Sequence, residues 1–310
     1  MQKTSYTHII GTFLFKDNKI ISQKLFNNLE DMKKHKDADT FGKVEKLTSA
    51  EIIFPKITEQ HDKFYQLNVE QTEHDLKNSV NKNNLITQTI SNIDEINKTI
   101  NLLCKRLREW YGLYFPELNE NIKDNEVYAK LVVEKSKEQL SKEFNVKSIG
   151  SDVPKKDVEQ MQLLAKEIIN IARLRENEKN YLDAIMVDYC PNLKEVATST
   201  IAGELIAHTG SLEKLAEMPS STIQLLGAEK ALFRHMVNKR SNCPKHGIII
   251  NHPLLANARQ KEAGKIARHL AGAIAMACKV DYFHKGTKLD NSIGKKLMIK
   301  INKQIKNDKN

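Results

Sequence analysis

Residues 86–107 read ITQTISNIDEINKTINLLCKRL, and this stretch decides the architecture. Ile86, Ile90, Ile93, Ile100, Leu103 and Leu107 recur at spacings of three, four or seven, the repeat of a helix that buries one narrow stripe. Asn97 falls at the seam position between Ile93 and Ile100, where a polar residue costs stability and fixes register. A second stripe runs through Met161, Leu164, Ile168 and Ile171 and resumes at Leu182, Ile185 and Met186. The two stripes predict a helical hairpin or a dimerising coiled coil. Their dimerisation set is Ile86, Ile90, Ile93, Ile100, Leu103, Met161, Leu164, Ile168 and Ile171. Between the helices, residues 145–156 contain Gly150, Ser151 and Pro154, which is turn chemistry for the tip, and Asp152 or Asp157 is placed to cap the returning helix.

Downstream, Cys190-Pro191-Asn192 breaks the second long helix, because proline lacks a backbone donor and restricts the residue before it. A helix through Ile201 and Ile206 stops at Gly210, and Ser211 caps the next one, Leu212 to Met218, which ends at Pro219. Further elements are a helix from Ala228 to about Asn238, an exposed loop, a short strand at Gly247–Ile250 and a last long helix over 256–280. On that last helix Ala267, Ala271, Ala275 and Cys278 share one face and permit close packing. After Phe283 lysine and asparagine dominate, which predicts a disordered tail that adds salt-sensitive attraction to nucleic acid or serves only solubility. Upstream, a strand over Tyr6–Phe15 bends at Gly11, a polar turn follows at 16–18, and a second apolar stretch and a short strand at Glu51–Phe54 complete a small mixed domain. The run Lys33, Lys34, His35 and Lys36 reads as a solvated loop.

The expected fold is therefore mainly α with a small α+β N-terminal domain. A long coiled-coil hairpin leads into an all-helical domain with a short hairpin-like insertion. The domains are 1–77, 78–190, 191–283 and a lysine-rich tail over 284–310. Composition agrees with an elongated helical design, since aromatics make up 6% and charged residues 28% of the 310 residues. A net charge of +10 calls for an acidic partner, which leaves RNA, DNA or an anionic membrane. Apolar runs such as Ile248–Ile250 fall far short of the roughly 20 residues of a membrane span, and the first residues lack a signal-peptide pattern, so a cytoplasmic protein is expected. Cys104, Cys190, Cys243 and Cys278 are scattered, as reduced thiols are.

No phosphate loop, dinucleotide fingerprint, nucleophile elbow or HExxH zinc motif occurs, so no catalytic residue is assigned. Histidines gather late, at His208, His235, His246, His252, His269 and His284. Cys243-Pro-Lys-His246 looks like half a zinc site without a second half, so no metal or other cofactor is expected. The histidines read instead as polar surface or RNA-stacking groups. The stronger signal is IQLLGAEKALFRHM followed by CPKHGIIINHP, spanning 223–253. On a helix from Ala228, Lys230 and Arg234 lie four apart on one face and can grip phosphates. The backbone N–H groups near Gly227 and Ala228 would add positive potential, partly opposed by Glu229. Lys265, Arg268 and Lys279 continue the basic character along the last helix. On spacing alone, a charged helix face on an ordinary domain fits equally well. The group Leu107, Arg108, Trp110, Tyr111, Tyr114, Phe115 and Pro116 reads as packing where the coiled coil meets the C-terminal domain, with a base-stacking platform as the alternative.

STIQLLGAEKALFRHM, PKHGIIINHP and GKIARHLAGAIAMACKVDYF closely resemble the Nop domain, and NLLCKRLREWYGLYFPEL at 101–118 resembles that family's coiled-coil entry. YLDAIMVDYCPNLKEV and AGELIAHTGSLEKLAEMPSS extend the match, so the resemblance runs over about 78–283 in the family's order. It implies a scaffold of the box C/D guide ribonucleoprotein, cytoplasmic in archaea and nucleolar in eukaryotes. Such a scaffold binds guide RNA jointly with a kink-turn-binding ribosomal-like protein, dimerises with itself, and docks fibrillarin, which carries out 2′-O-methylation of ribosomal or transfer RNA. Where the motifs match, the RNA and kink-turn-protein contacts fall on Gln224, Gly227, Ala228, Glu229, Lys230, Arg234, Lys245, His246, Lys265 and Arg268. Ala263, Cys243 and Asn251 depart from the family's pattern. Ala263 stands where many relatives have an arginine, so one phosphate contact is either missing or supplied by Arg259. The alternatives are a spliceosomal-type Nop protein without a methyltransferase and a purely structural coiled-coil assembly protein.

Overall fold

The computed structural model describes residues 4–16, 19–36, 45–46, 54–284 and 290–307. The chain forms two compact units, Met1–Asn81 and Lys82–Asn310.

In the first unit β1 (Thr4–His8) and β2 (Gly11–Lys16) form an antiparallel hairpin, β3 (Lys19–Leu25) pairs with the other edge of β2, and β4 (Glu45–Lys46) runs parallel to β1. The order is β3-β2-β1-β4, which places β2 inside the sheet, and residues 11–15 are buried. Where the sequence predicts one bent strand, the chain reverses at Ile9-Ile10. Gly11 opens the second strand because a Cβ there would lie 2.4 Å from the Lys24 carbonyl oxygen. The lysine run predicted as a loop lies in α1 (Leu29–Lys36), whose start is capped by the Asn28 side chain accepting the Asp31 N–H at 2.9 Å. Phe54, predicted in a strand, opens the helix α2 (Phe54–Glu59), while 51–53 lie outside the described residues. Helix α3 (His61–Ser79) follows, and Phe64 packs against the cluster of Ile10, Phe13 and Phe15.

The second unit begins with α4 (Lys82–Tyr111) and returns through α8 (Lys155–Tyr189), which pack along each other as the paired stripes predict. The phase differs by one residue from the predicted one in places. Ile96 and Cys104 are the buried seam positions, and Asn97 sits at the flank, where its Oδ1 accepts from Arg175 Nη1 at 3.2 Å. The residues predicted for dimerisation meet inside a single chain. Ile86, Ile90, Ile93, Ile100, Met161 and Ile168 are buried, and Leu103, Leu164 and Ile171 are half-buried beside Ile100, Met161 and Ile168, so the stripe is engaged mainly by contacts within the chain.

The hairpin tip is more than a turn. Three short helices fill it, α5 (Glu117–Asn121), α6 (Asn125–Glu134) and α7 (Lys137–Glu143). Caps rather than periodicity define α6 and α7. Asp124 accepts the Glu126 and Val127 N–H groups at 2.9 Å, and Ser136 and Gln139 form a capping box. Neither Asp152 nor Asp157 caps α8, which starts behind Pro154 without a side-chain cap. The aromatic group belongs to this tip. Tyr111, Phe115 and Tyr128 are buried together, and the Arg108 guanidinium stacks 4.3 Å over the Tyr128 ring while donating to the Ile122, Lys123 and Asp124 carbonyls. At 1.5 Å per residue, that end of α4 lies roughly 37 Å from Ile86, where the C-terminal helices pack, so the predicted role at that junction does not hold.

The C-terminal helices are α9 (Pro191–Ala197), α10 (Ser199–Thr209), α11 (Leu212–Glu217), α12 (Ser220–Leu225), α13 (Glu229–Val237), α14 (Pro253–Ala256), α15 (Ala263–Phe283) and α16 (Ser292–Asn307). Ser211 caps α11 through the Lys214 N–H at 3.2 Å, and Gly210 ends α10 with a φ of 87°. Pro191 interrupts the helix but not the core, since Ile86, Ile90, Ile93, Leu182 and Met186 join one cluster with α9, α10 and α15. Ala267, Ala271, Ala275 and Cys278 are all buried on α15, as their shared face predicts.

Two expectations fail here. Residues 248–251 form a 3-10 turn rather than a strand, held by the Ile248 N–H on the Leu226 carbonyl at 2.7 Å. Within the tail, Ser292–Asn307 form the helix α16, with Ile301 buried and Leu297, Met298 and Ile305 packed on the core.

Candidate functional site

Three segments bring the predicted contacts together: the α12–α13 junction, the loop at 238–247 and the start of α15. Gln224 is the clasp. Its Nε2 donates to the Lys245 carbonyl at 2.7 Å, and its own carbonyl accepts the Gly247 N–H at 2.9 Å. Lys245 is exposed, its stem runs past Gly264 at the start of α15, and its ammonium donates to the Gln260 carbonyl at 3.4 Å. His246 is half-buried in the same loop, and Lys265 and Arg268 stand exposed on the first two turns of α15.

The α12–α13 junction turns on Gly227, whose φ of 83° belongs to the left-handed region where glycine alone is free of strain. A Cβ there would also lie 2.7 Å from Ile248 Cγ1. The amides predicted to be free are occupied. The Gly227 N–H donates to Glu229 Oε1 at 2.7 Å, and the Ala228 N–H donates to the Leu225 carbonyl at 2.8 Å. Glu229 is thus a brace. Its carboxylate also accepts from His208 Nε2 at 2.7 Å, which ties α13 to α10. Partial burial pushes this carboxyl upward, but the Gly227 N–H, its own backbone N–H and His208 together hold it below its usual range.

Beyond the brace, α13 has no buried residue. Lys230 and Arg234 are exposed on one face, and among the described residues neither lies within ion-pair distance of a carboxylate. Beside them along the helix stand Phe233, Met236 and Val237, exposed at 61%, 58% and 91%. Sequence reasoning missed these three, although their i, i+3, i+4 spacing on a short helix was the available signal. A helix with two free cations and three uncovered apolar side chains on adjacent strips presents both phosphate-binding and apolar docking chemistry.

The late histidines divide. His235 Nδ1 donates to the Ser241 carbonyl at 2.5 Å and closes the exposed loop. His252 is buried rather than a surface or stacking group: its Nδ1 accepts the Leu254 N–H at 3.2 Å and caps α14. Burial lowers its pKa, against a hydrogen bond to the Val196 backbone that raises it. Cys243 is exposed, and among the described residues no group of three or more His, Cys, Asp or Glu side chains is placed to hold a metal ion. No helix among them is long and apolar enough to cross a membrane.

The Nop family profile, described as snoRNA binding domain, fibrillarin, matches residues 92–307. An uncharacterized NOP5 family protein of Methanocaldococcus jannaschii is 37% identical over 270 residues, covering 81% of this chain and 64% of that protein. Nucleolar protein 58 of Yarrowia lipolytica is 36% identical over 228 residues, covering 68% of this chain and 44% of that protein. The chain therefore spans less than two thirds of the length of these relatives. Among solved structures, a chain of a fibrillarin/Nop5p complex aligns with a TM-score of 0.44 and 20% identity, covering 96% of this chain and 99% of that one.

Proposed function

The chain belongs to the Nop family, and on that premise we propose that it is the non-catalytic scaffold of a box C/D guide ribonucleoprotein. The observation that carries this reading is the face of α13, where Lys230 and Arg234 lie beside Phe233, Met236 and Val237 on a helix with no buried residue. The two cations take phosphates of the kink-turn RNA. The apolar strip takes the small protein already bound to that RNA, so the two are recognised as one surface. Gln224 fixes the loop that presents Lys245 and His246, and Lys265 and Arg268 extend the cationic surface onto α15. Gly227, Ala228 and Glu229 shape the turn into α13 rather than touch phosphate, because their polar groups are spent inside the chain.

The first unit docks fibrillarin, which performs the 2′-O-methylation, and a homodimer places two such enzymes on one guide. With the α4–α8 seam closed internally, dimerisation falls to the outer side of the hairpin. There Leu163, Leu174 and Tyr181 lie on one line of α8 and are exposed.

Guide-directed methylation reconstituted from fibrillarin, the kink-turn protein and guide RNA tests the reading. Activity is expected only when this chain is added. Equal activity without it, or failure of the chain to retain fibrillarin in a pull-down, rejects the box C/D assignment.

A further inference from the structure

Helix α16 is docked by specific contacts. The Asn192 side chain, itself buried, donates to the Asp290 carbonyl at 2.7 Å and accepts the Gly294 N–H at 2.7 Å, while its amide also reaches Asp281 Oδ1 at 2.8 Å. Gly294 is required at the crossing, since a Cβ would lie 2.8 Å from both the Asn192 carbonyl oxygen and Glu195 Cβ. Ile301 anchors the next turns in the core.

This docking fixes the direction of the opposite face. At 100° per residue, Lys295, Lys296, Lys300 and Lys303 fall within one arc of less than half the helix circumference, and all four are exposed. The helix contains no acidic residue. Carboxylates on the elements packed against it are already engaged. Glu195 accepts from Asn291, and Asp281 accepts from Asn192 and Leu193. Among the described residues none of the four ammonium groups lies within ion-pair distance of a carboxylate. Like charges at i, i+3 and i, i+4 disfavour the helix by a few tenths of a kcal/mol per pair, so a partner of opposite charge would relieve a repulsion that the chain itself leaves standing.

We propose that α16 presents Lys295, Lys296, Lys300 and Lys303 as a second, sequence-independent surface for the RNA phosphate backbone, distinct from the face of α13. The four span about 12 Å along the axis, enough to meet successive phosphates of one strand. A membrane is disfavoured because the apolar side of this helix is buried in the core: only Ile293 and Ile299 of its large apolar side chains are exposed, too little to insert. The choice of RNA as the anion rests on the family reading above.

The test uses the full chain and an RNA duplex of about 20 base pairs with no kink-turn and no second protein. Changing all four lysines to glutamine is expected to weaken duplex binding at least about tenfold near 0.1 M salt, and to make the slope of log affinity against log salt shallower by roughly three. The variant with all four changed to arginine keeps the charge and retains wild-type binding. A glutamine variant with unchanged slope and affinity overturns the proposal. So does a wild-type chain that binds anionic phosphatidylserine vesicles in preference to the duplex. The two readings fail separately. Loss of recognition of the preformed kink-turn complex with duplex binding intact sinks the α13 reading alone, whereas assembly on that complex with an unchanged salt slope sinks this one alone.

Discussion

Gly227 and Glu229 together set where α13 points. The glycine supplies a left-handed φ and leaves room for Ile248, and the carboxylate closes on the Gly227 N–H and on His208. Gly227→Ala is expected to cost about 1–2 kcal/mol in chemical denaturation, from the left-handed strain alone, and more if Ile248 cannot yield. A stability equal to wild type would mean that the turn is not held as described. His252 gives a pH signature. Because burial lowers its pKa in the fold, the folded state prefers the neutral ring. Its contribution is complete above the unfolded value near 6.5 and is lost as pH falls below that value. His252→Asn keeps a capping acceptor without the titration, so its Tm should fall less than wild type between about pH 7.5 and 5.5. His8 is also lowered by burial and leaves part of the fall in place. Parallel curves for the two proteins would exclude His252 as a contributor.

The long elements were legible because their periodicity is strong. The stripes of α4 and α8 and the small-residue face of α15 were all readable from spacing. Other elements were not. Helices α5, α6 and α7 are too short to show a period, and Asp124, Ser136 and Gln139 define the starts of α6 and α7. Helix α16 was hidden by its composition, although Leu297, Met298, Ile301 and Ile305 carry helical spacing, because lysine and asparagine outweigh them in any window. The seam slipped from Ile96 to Asn97 because a strict seven-residue repeat and the 3.6-residue turn drift apart by about 20° per heptad. In the candidate site, Lys230 and Arg234 followed from spacing, whereas the fate of the Gly227 and Ala228 amides depends on a carboxylate folding back and on a local turn, which no spacing rule reports. At this scale belongs the outer line of α8. Leu174→Glu combined with Tyr181→Glu should convert a dimer to a monomer in sedimentation while leaving helicity unchanged, since both side chains are exposed within the chain. A persistent dimer would place self-association elsewhere.

For the molecule as a whole, one core joins the base of the hairpin to the C-terminal helices, and Asn192 with Asp281 binds α9, α15 and α16 into it. Burial raises the Asp281 carboxyl, against the donors from Asn192 and Leu193 that lower it, so this node concentrates polar cost at the crossing of three helices. This compact second unit leaves the α13 face uncovered. The role proposed for that face is tested most directly by comparing binding to kink-turn RNA alone, to the same RNA preloaded with its small protein, and to the preloaded complex with Lys230→Ala and Arg234→Ala in place. Binding should be clearly tighter to the preloaded RNA and should drop by about tenfold or more in the double variant, with a salt slope shallower by roughly two. Equal affinity for bare and preloaded RNA, or a double variant that assembles like wild type at moderate salt, would contradict the account.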